Sequence, residues 1–438
     1  MNQIDYFTKP GGRLTGEFRV PGDKSISHRS IMFGAIADGT THVTGFLQGE
    51  DSLNTLRAFR AMGVTIDGPD EKGEVIIQGV GVDGLKAPGG VIDLGNSGTS
   101  IRLMSGLLSG QSFDIELSGD RSLSKRPMKR VTDPLALMGA KVDAEKGGRP
   151  PLKIHGGQAM KGINYTLPMA SAQVKSCLLL AGMYAEGTTC VTEPATTRDH
   201  TERMLNAFGY PVVTKNNQMC IEGGGRLIAC DIDVPADISS AAFFLVGASI
   251  AEGSDITLQH VGINPTRTGV IDILKLMGAN IELLNERVAG GEPVADIRVR
   301  SARLKGIQVP EELVPLAIDE FPALFVAAAC AEGQTIVTGA EELRVKESDR
   351  IQVMADGLQI LGVDAQPTAD GMIINGGKIG GGKVHSRDDH RIAMAFTMAS
   401  LCADDEIQIE DCENVDTSFP DFVGLATKAG MNVVSHSS

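Results

Sequence analysis

The sequence lacks the features by which several classes of protein are recognised. It has no Trp and only 4% aromatic residues, and 40 Lys+Arg against 55 Asp+Glu give a formal charge of −15. Nucleic-acid binding typically needs a basic surface, and single strands usually add aromatic side chains that stack on the bases. The composition therefore argues against a nucleic acid as the partner.

Long apolar segments are also missing. The two longest, Ala241–Ala251 and Phe321–Ala331, have 11 residues each, whereas a membrane-spanning helix needs about 20. The first residues, Met1–Asp5, do not show the basic segment and apolar run of a secretory signal. We therefore expect a cytoplasmic protein that does not interact with a membrane.

Cysteine is sparse, and the cysteines do not form a recognisable motif. There are seven cysteines and no Cys-x-x-Cys, and the eight histidines show no metal-ligand spacing. We expect reduced, mostly buried thiols and no metal site. The cysteines are Cys177, Cys190, Cys220, Cys230, Cys330, Cys402 and Cys412.

Glycine, in contrast, is abundant, with 53 of 438 residues where an average protein has roughly 7%. Many of these glycines belong to a repeated phrase, in which an apolar helix ends at Ala-[Asp/Glu]-Gly-[small] and a strand follows. Successive copies lie 71, 77, 66, 80 and 72 residues apart. Four strong and two weaker copies are centred on Gly39, Gly110, Gly187, Gly253, Gly333 and Asp405.

A second phrase follows each copy after 22–29 residues and places a glycine just past the end of a second helix. Glycine is favoured there because the residue after a helix often has positive φ. These glycines are Gly63, Gly139, Gly209, Gly278, Gly362 and Gly430. The two phrases together predict six units of 438/6, or about 73, residues. Each unit reads strand–helix–strand–helix–strand–strand.

Six such units predict two domains of three units each, since a single core rarely serves more than about 250–300 residues. The cut between the third and fourth copies falls near Asp231–Ala236. The strand predicted at Gly12–Val20 precedes the first full unit, so we assign it to the second domain. The predicted domains are residues 22–235, and residues 1–21 together with 236–438, with a hinge at the two crossings.

The residues best suited to chemistry stand where the first helix of a unit begins. Pro21–Arg29 leads into a helix predicted at Ser30–Ala37. Lys24, Ser25 and Arg29 supply an ammonium, a hydroxyl and a guanidinium beside a helix N-terminus, which favours phosphate or carboxylate. Taken alone, the segment fits a capped helix with solvated bases equally well.

Comparable segments open other units, which favours an anion site over solvated charge. Equivalent helix ends point the same way in a repeat fold, so their bases can converge on a small, multiply anionic substrate. The helix-opening segments are Gly95–Ser100 followed by Arg102, Ser171–Lys175 and Asp388–Arg391. Further basic residues stand at Arg121, Lys125–Arg126, Lys129–Arg130, Arg198–His200 and Lys346–Arg350.

Three acidic residues occur at comparable places. Asp237 is predicted to cap the first helix of the fourth unit. Asp319 has apolar neighbours and Glu347 stands between Lys346 and Arg350, so both carboxylates are candidates for proton transfer.

Together these segments resemble the 5-enolpyruvylshikimate-3-phosphate (EPSP) synthases, a family of enolpyruvyl transferases, over essentially the whole chain. The segments are Pro21–Arg29, Leu94–Arg102, Lys125–Pro127, Ser171–Lys175, Ile318–Pro322, Arg344–Arg350, Asp389–Arg391 and Ser418–Asp421. The resemblance implies an α/β fold of two domains, each an inside-out barrel-like set of three βαβαββ units, joined by a hinge. It also implies a monomer that needs no cofactor and no metal.

The activity implied by the resemblance is transfer of the enolpyruvyl (1-carboxyvinyl) group from phosphoenolpyruvate to the 5-hydroxyl of shikimate 3-phosphate. Phosphate is released through a tetrahedral intermediate, on the route to chorismate and the aromatic amino acids. The catalytic residues implied are Lys24, Asp319 and Glu347. Those implied for shikimate 3-phosphate are Lys24, Ser25, Arg29, Ser171, Ala172, Gln173, Arg198, Asp319 and Lys346. Those implied for phosphoenolpyruvate are Lys24, Asn96, Gly98, Arg126, Gln173, Arg350 and Arg391.

The chain departs from one branch of that family at Thr417, where many members have Lys, and around Ala172 and Arg198. In this it is similar to the branch that includes glyphosate-tolerant enzymes, but tolerant members often have Ala at the position of Gly98, so we expect sensitivity.

Two other functions are alternatives to this one. One is the UDP-N-acetylglucosamine enolpyruvyl transferase, which typically has Lys-Asn where this chain has Lys24-Ser25, and a loop Cys that residues 114–123 lack. The other is a non-catalytic repeat scaffold that binds anions. The acid–base candidates and clamp residues that the chain retains argue against the scaffold.

Overall fold

The computed structural model describes residues 4–437, which form twelve α-helices and twenty-four strands. The helices are α1 (Lys24–Ile36), α2 (Glu50–Ala61), α3 (Gly98–Ser109), α4 (Lys129–Leu137), α5 (Ala172–Gly182), α6 (His200–Ala207), α7 (Ile238–Ile250), α8 (Gly269–Leu276), α9 (Phe321–Ala329), α10 (Arg350–Ile360), α11 (His390–Ala399) and α12 (Phe422–Ala429). The strands are β1 (Ile4–Thr8), β2 (Thr15–Phe18), β3 (Ala37–Thr44), β4 (Thr65–Asp67), β5 (Val75–Val80), β6 (Ile92–Asp93), β7 (Ile115–Ser118), β8 (Lys141–Glu145), β9 (Arg149–His155), β10 (Asn164–Thr166), β11 (Thr188–Thr192), β12 (Val212–Lys215), β13 (Gln218–Glu222), β14 (Leu227–Ile228), β15 (Ile232–Asp233), β16 (Asp255–Gly262), β17 (Asn280–Ala289), β18 (Glu292–Arg300), β19 (Gln334–Val337), β20 (Asp364–Thr368), β21 (Gly371–Asn375), β22 (Gly382–His385), β23 (Ile407–Glu410) and β24 (Val433–Ser437).

The chain divides into two compact units, called here the central unit and the terminal unit to distinguish them from the predicted repeat units. The central unit comprises Gly22–Val234 with Ala289–Gly291, and it contains α1–α6. The terminal unit comprises Pro235–Val288, the chain up to Pro21 and the chain from Glu292 onward, and it contains α7–α12. Residues 1–3 and 438 lie outside the described residues. Two expectations from the sequence include some of these residues: the lack of a secretory signal at Met1–Asp5, and the outer limits of the second predicted domain.

Each unit contains three sheets among the described residues, and five of the six sheets combine parallel with antiparallel pairs, whereas β19-β21-β20 is antiparallel. In the central unit their strand orders are β14-β3-β5-β4 with β15 also on β3, β6-β7-β9-β8, and β10-β11-β13-β12. In the terminal unit they are β22-β23-β1-β24, β17-β18-β16-β2, and β19-β21-β20. The chain's first two strands therefore complete sheets of the terminal unit, β1 between β23 and β24 and β2 parallel to β16.

The alternate helices α1, α3, α5, α7, α9 and α11 form the cores. Each is buried along nearly its whole length, as in α7, where every residue from Ile238 to Ser249 is buried. A helix that is apolar on all sides is stable only inside a core. The intervening helices bury one face, as α6 does. The N-termini that carry the predicted anion-binding segments thus belong to the most enclosed helices.

The predicted glycine positions are confirmed. The six glycines that follow α2, α4, α6, α8, α10 and α12 all have positive φ, between 74° and 120°. This conformation is strained for residues with a Cβ. The second phrase of the repeat is therefore a backbone requirement at helix ends.

Two expectations need correction. Helix α1 begins at Lys24 and not at Ser30, because the Asp23 carboxylate accepts from the Ile26 amide and caps the helix earlier. The expectation of reduced thiols is wrong at Cys190 and Cys220, which form a disulfide.

The disulfide arises from strand register. Cys190 and Cys220 are paired residues of the antiparallel strands β11 and β13, with Cα atoms 4.1 Å apart. They are 30 residues apart in the chain, so spacing alone does not reveal the contact. The other five cysteines are free thiols, of which Cys177 and Cys412 are buried. Among residues 4–437, no helix combines the length and the apolar character that a membrane crossing requires.

Candidate active site

The central unit presents three capped helix N-termini that carry predicted substrate residues. Asp23 caps α1, Ser97 caps α3 and Ser171 caps α5, each with a side-chain oxygen that accepts from a first-turn amide. Such N-termini have positive potential and remaining amides that can donate to an anion. Lys24, Ser25, Gly98, Ala172 and Gln173 all lie in these first turns.

Lys24, the first residue of α1, is paired with a carboxylate that the sequence did not single out. Its Nζ lies 2.9 Å from Oδ2 of Asp51, which is in the first turn of α2. The Lys24 side chain remains one-fifth exposed, whereas Asp51 is nearly buried. Asp51 therefore orients the ammonium while leaving it accessible. The sequence feature that could have indicated Asp51 is the acidic pair Glu50-Asp51 at the start of α2.

Arg29 lies deeper than the sequence suggested. Its guanidinium donates to the Ser25 carbonyl at 2.8 Å, to Thr201 Oγ1 at 2.7 Å and to Ser176 Oγ at 3.0 Å, and the residue is only 4% exposed. These bonds tie α1 to α5 and α6. The structure thus supports an organising role for Arg29 and places it at the base of the α1 turn that carries Ser25.

His28 links α1 to the start of α3. Its Nδ1 lies 2.8 Å from Thr55 Oγ1 and 3.3 Å from Ser100 Oγ, and Ser100 is in turn 2.7 Å from the α3 cap, Ser97. Burial, reinforced by the positive charges of Lys24 and Arg29, holds the pKa of His28 well below its ordinary value of 6.5. The imidazole is therefore neutral in the folded protein at neutral pH.

This neutral imidazole predicts acid sensitivity of the fold. The unfolded state binds a proton near pH 6.5, and the folded state resists it. Stability should therefore fall as the pH drops below that value, by up to about 1.4 kcal/mol per pH unit. Urea denaturation between pH 7 and pH 5 should show a shallower decline for His28→Asn than for the wild type or for the exposed control His42→Asn. An unchanged decline in His28→Asn would contradict this assignment.

Asn96, Gly98, Arg126 and Gln173 are brought together around the start of α3. Arg126 donates to Asn96 Oδ1 at 2.5 Å, and Gln173 donates to Thr99 Oγ1 at 3.0 Å. A Cβ added at Gly98 would lie 2.9 Å from the Nη1 atoms of both Arg102 and Arg126. The absence of a side chain at Gly98 therefore gives two guanidinium groups the room they occupy.

Arg102 was noted in the sequence but not assigned to a substrate. Its Nη1 donates to Gln173 Oε1 at 2.6 Å, so the amide of Gln173 is held from both ends, by Arg102 and by Thr99. Arg198 lies in the segment between β11 and α6. Ser171 and Ala172 are the cap and first residue of α5.

In the terminal unit, Asp319 lies in a short 3₁₀ turn, Ile318–Glu320, directly before α9. Its Oδ1 is 3.2 Å from Lys346 Nζ and 3.3 Å from Arg350 Nη1. Burial alone would lower the pKa of Lys346, but the carboxylates of Asp319 and Glu342 outweigh it and raise the pKa. Two cations thus hold one carboxylate that is still partly exposed.

Arg350 is the centre of this group and is almost fully buried. Besides Asp319 it contacts Glu347 at 2.6 Å and Asp389 at 2.8 Å. Burial opposes the charge of Arg350, but the three carboxylates raise the pKa of its guanidinium far above its ordinary value. Asp389 is fully buried and also caps α11. Asp389 therefore holds Arg350 in place, a role that was not predicted from the sequence.

Arg391, the second residue of α11, donates to the Asp319 carbonyl at 3.2 Å and lies 3.8 Å from Glu320 Oε1. Asp319, Glu347, Lys346, Arg350 and Arg391 thus form one cluster around the starts of α9, α10 and α11. Asp237 caps α7, as predicted, by accepting from the Ser239 amide.

The fold has counterparts among solved structures. NikO from Streptomyces tendae, described as an enolpyruvyl transferase, covers 100% of this chain and of its own with a TM-score of 0.78 at 16% identity, which shows a shared fold alone. An EPSP synthase structure from Acinetobacter baumannii covers 99% of this chain and 100% of its own, with a TM-score of 0.90 and 61% identity. The architecture is that of the enolpyruvyl transferases.

Sequence comparison defines the family. A family model described as EPSP synthase (3-phosphoshikimate 1-carboxyvinyltransferase) matches residues 8–425. The 3-phosphoshikimate 1-carboxyvinyltransferase of Alkalilimnicola ehrlichii is 68% identical over 429 residues, which are 98% of this chain and 96% of that protein. That of Methylococcus capsulatus is 66% identical over 424 residues, 97% of each chain.

The chain belongs to the EPSP synthase family, and its reaction is enolpyruvyl transfer in the shikimate pathway. The two alternatives, transfer to UDP-N-acetylglucosamine and a non-catalytic scaffold, are not favoured by these comparisons.

Proposed function

We propose that the residues described above carry out this transfer from phosphoenolpyruvate to the 5-hydroxyl of shikimate 3-phosphate. The observation that carries the proposal is the Asp319 carboxylate, which is held between Lys346 and Arg350 at the start of α9 yet remains partly exposed. A fixed, accessible carboxylate is suited to accept the hydroxyl proton.

The proposed reaction has two steps. The 5-oxygen attacks C2 of phosphoenolpyruvate while Asp319 takes the hydroxyl proton and C3 gains a proton, which gives a tetrahedral adduct. C3 then loses a proton as phosphate leaves C2, and the enolpyruvyl double bond is restored. Lys24 and Glu347 are the groups we assign to proton transfer at C3. Both are held by an opposite charge, Asp51 or Arg350.

Substrate binding follows from the charges. Arg126, Arg350 and Arg391, with Asn96, Gly98, Gln173 and Lys24, are proposed to hold phosphoenolpyruvate, because fixed cations stabilise the phosphate as negative charge develops. Ser25, Arg29, Ser171, Ala172, Gln173, Arg198 and Lys346, with Lys24 and Asp319, are proposed to hold shikimate 3-phosphate. We also propose that the chain forms two domains of three βαβαββ units each and that it is located in the cytoplasm.

A direct assay tests the proposal. The purified chain is mixed with phosphoenolpyruvate and shikimate 3-phosphate, and both phosphate and the enolpyruvyl product are measured. We expect product only when both substrates are present, and none when UDP-N-acetylglucosamine replaces shikimate 3-phosphate. Turnover with the nucleotide sugar, or none with shikimate 3-phosphate, would refute the assignment.

Gly98 predicts how glyphosate acts. The wild type should be inhibited in competition with phosphoenolpyruvate well below millimolar glyphosate. In Gly98→Ala the new methyl would lie 2.9 Å from two guanidinium groups, which must move. We expect the KM for phosphoenolpyruvate and the half-inhibitory glyphosate concentration each to rise about 10-fold, the effect of ~1.4 kcal/mol. Inhibition that is absent in the wild type or unchanged in the variant would show that Gly98 does not limit the pocket.

A further inference from the structure

Lys175 is the one cation of the α5 opening segment that the reaction leaves without a part. The sequence placed it among bases that could converge on a substrate. Its side chain is only 1% exposed, however, and its Nζ lies 3.1 Å from Glu193 Oε2 and 2.8 Å from Glu202 Oε1. An ammonium enclosed by two buried carboxylates does not bind a substrate anion directly.

The two carboxylates stand at opposite ends of the segment that carries Arg198. Glu193 follows the last residue of β11, and Glu202 is in the first turn of α6. Residues 194–199 between them contain no helix or strand. Lys175 therefore ties both ends of this segment to α5.

Glu193 also folds the segment back on itself. Its carboxylate accepts from the Thr197 amide at 3.1 Å and from Thr197 Oγ1 at 2.6 Å, one residue before Arg198. The backbone of Glu193 is held in turn by two hydrogen bonds to Asn217. The position of Thr197 thus depends on a carboxylate that Lys175 holds.

The same turn of α5 contains Ser171, the other residue proposed to bind the phosphate of shikimate 3-phosphate. Lys175 donates its amide to the carbonyl of Ser171, the α5 cap, at 3.0 Å. The next residue, Ser176, accepts from Thr201 Oγ1 at 2.7 Å. Helix α5 is therefore joined to Glu193, Thr201 and Glu202 through two adjacent residues, Lys175 and Ser176.

We propose that Lys175 is a positioning residue for recognition of the phosphate of shikimate 3-phosphate, acting through Glu193 and Thr197 to fix the Arg198 segment against the start of α5. The inference rests on the proposed assignment of Arg198 and Ser171 to that phosphate. It predicts a loss specific to the phosphorylated substrate, because a misplacement of ~1 Å can cost up to about 10²-fold.

The main test removes all three charges of the cluster together, because Lys175→Met alone leaves two buried carboxylates unpaired and can unfold the chain. The triple variant Lys175→Met/Glu193→Gln/Glu202→Gln removes the whole ion cluster, and circular dichroism checks its fold. The exposed lysine variant Lys215→Met is the control. We expect the KM for shikimate 3-phosphate to rise about 10-fold or more in the triple variant. The kcat and the KM for phosphoenolpyruvate should stay near the control values.

A second variant and a second ligand decide the origin of any change. Thr197→Val keeps all three charges and removes one hydrogen bond to Glu193, so it should raise the same KM even if the triple variant does not fold. The Kd of shikimate, which lacks the phosphate, should be unaffected in both. An unchanged KM for shikimate 3-phosphate in Thr197→Val, or an equal loss for shikimate, overturns the inference. Absence of turnover in the wild type would instead refute the proposed function.

Discussion

Replacing Asp319 with Asn is expected to lower kcat by about 10²–10⁴-fold, the usual contribution of a positioned acid–base group. The amide cannot take the 5-hydroxyl proton, although it keeps the shape of the side chain. The fold should survive, because Arg350 retains Glu347 and Asp389 and Lys346 retains Glu342. Steady-state kinetics with both substrates would measure the loss.

Glu342→Gln is the matched control for this variant. It removes the other carboxylate that contacts Lys346, at 2.8 Å, without touching the proposed base. We expect its kcat to stay close to that of the wild type. If Asp319→Asn retained most of its kcat, or if Glu342→Gln lost as much, Asp319 would not be the base.

The second large effect concerns stability. Replacing Arg350 with Met should lower the free energy of unfolding of the terminal unit by about 3–5 kcal/mol, the cost of removing one partner of a buried ion pair. The carboxylate of Asp389 is fully buried, and Arg350 Nε is its partner at 2.8 Å. Urea denaturation followed by circular dichroism suits a chain that has no Trp.

Arg391→Met makes the same charge change at a clamp residue with looser contacts. Its nearest carboxylate, Glu320, is 3.8 Å away. We expect a marked rise in the KM for phosphoenolpyruvate with a much smaller loss of stability. Equal losses of stability in the two variants would contradict the structural role assigned to Arg350.

The glycines at the ends of alternate helices could be predicted because their markers are local. A helix that ends in a residue with positive φ needs glycine there, and all six predicted positions show it. Capping is equally local, and Asp237 was correctly predicted as a cap. The predicted start of α1, Ser30, is too late. The first turns of the helix, Lys24–Arg29, are mostly polar and show no helical apolar pattern, but Asp23 caps the helix before them.

Contacts between distant segments were not predictable in the same way. Asp51 is 27 residues from Lys24, and the disulfide joins residues 30 apart, so each pairing depends on how helices pack or strands align. Lys175 is predicted from its position at a helix start to be one of the bases that face a substrate, but the structure encloses it between two carboxylates. Whether such a side chain faces outward or into the core depends on what packs beside it.

The sequence by itself determined the glycines at helix ends, the anionic substrate class and the family, because each depends on residue type at a fixed local spacing. The tertiary structure alone decided which charges pair. It encloses Lys175 between two carboxylates and buries Arg350 among three, while it leaves Lys24 and Asp319 partly exposed. The physical reason is that a charge is stable in the interior only beside an opposite charge, and the packed fold, not the order of residues, supplies that neighbour.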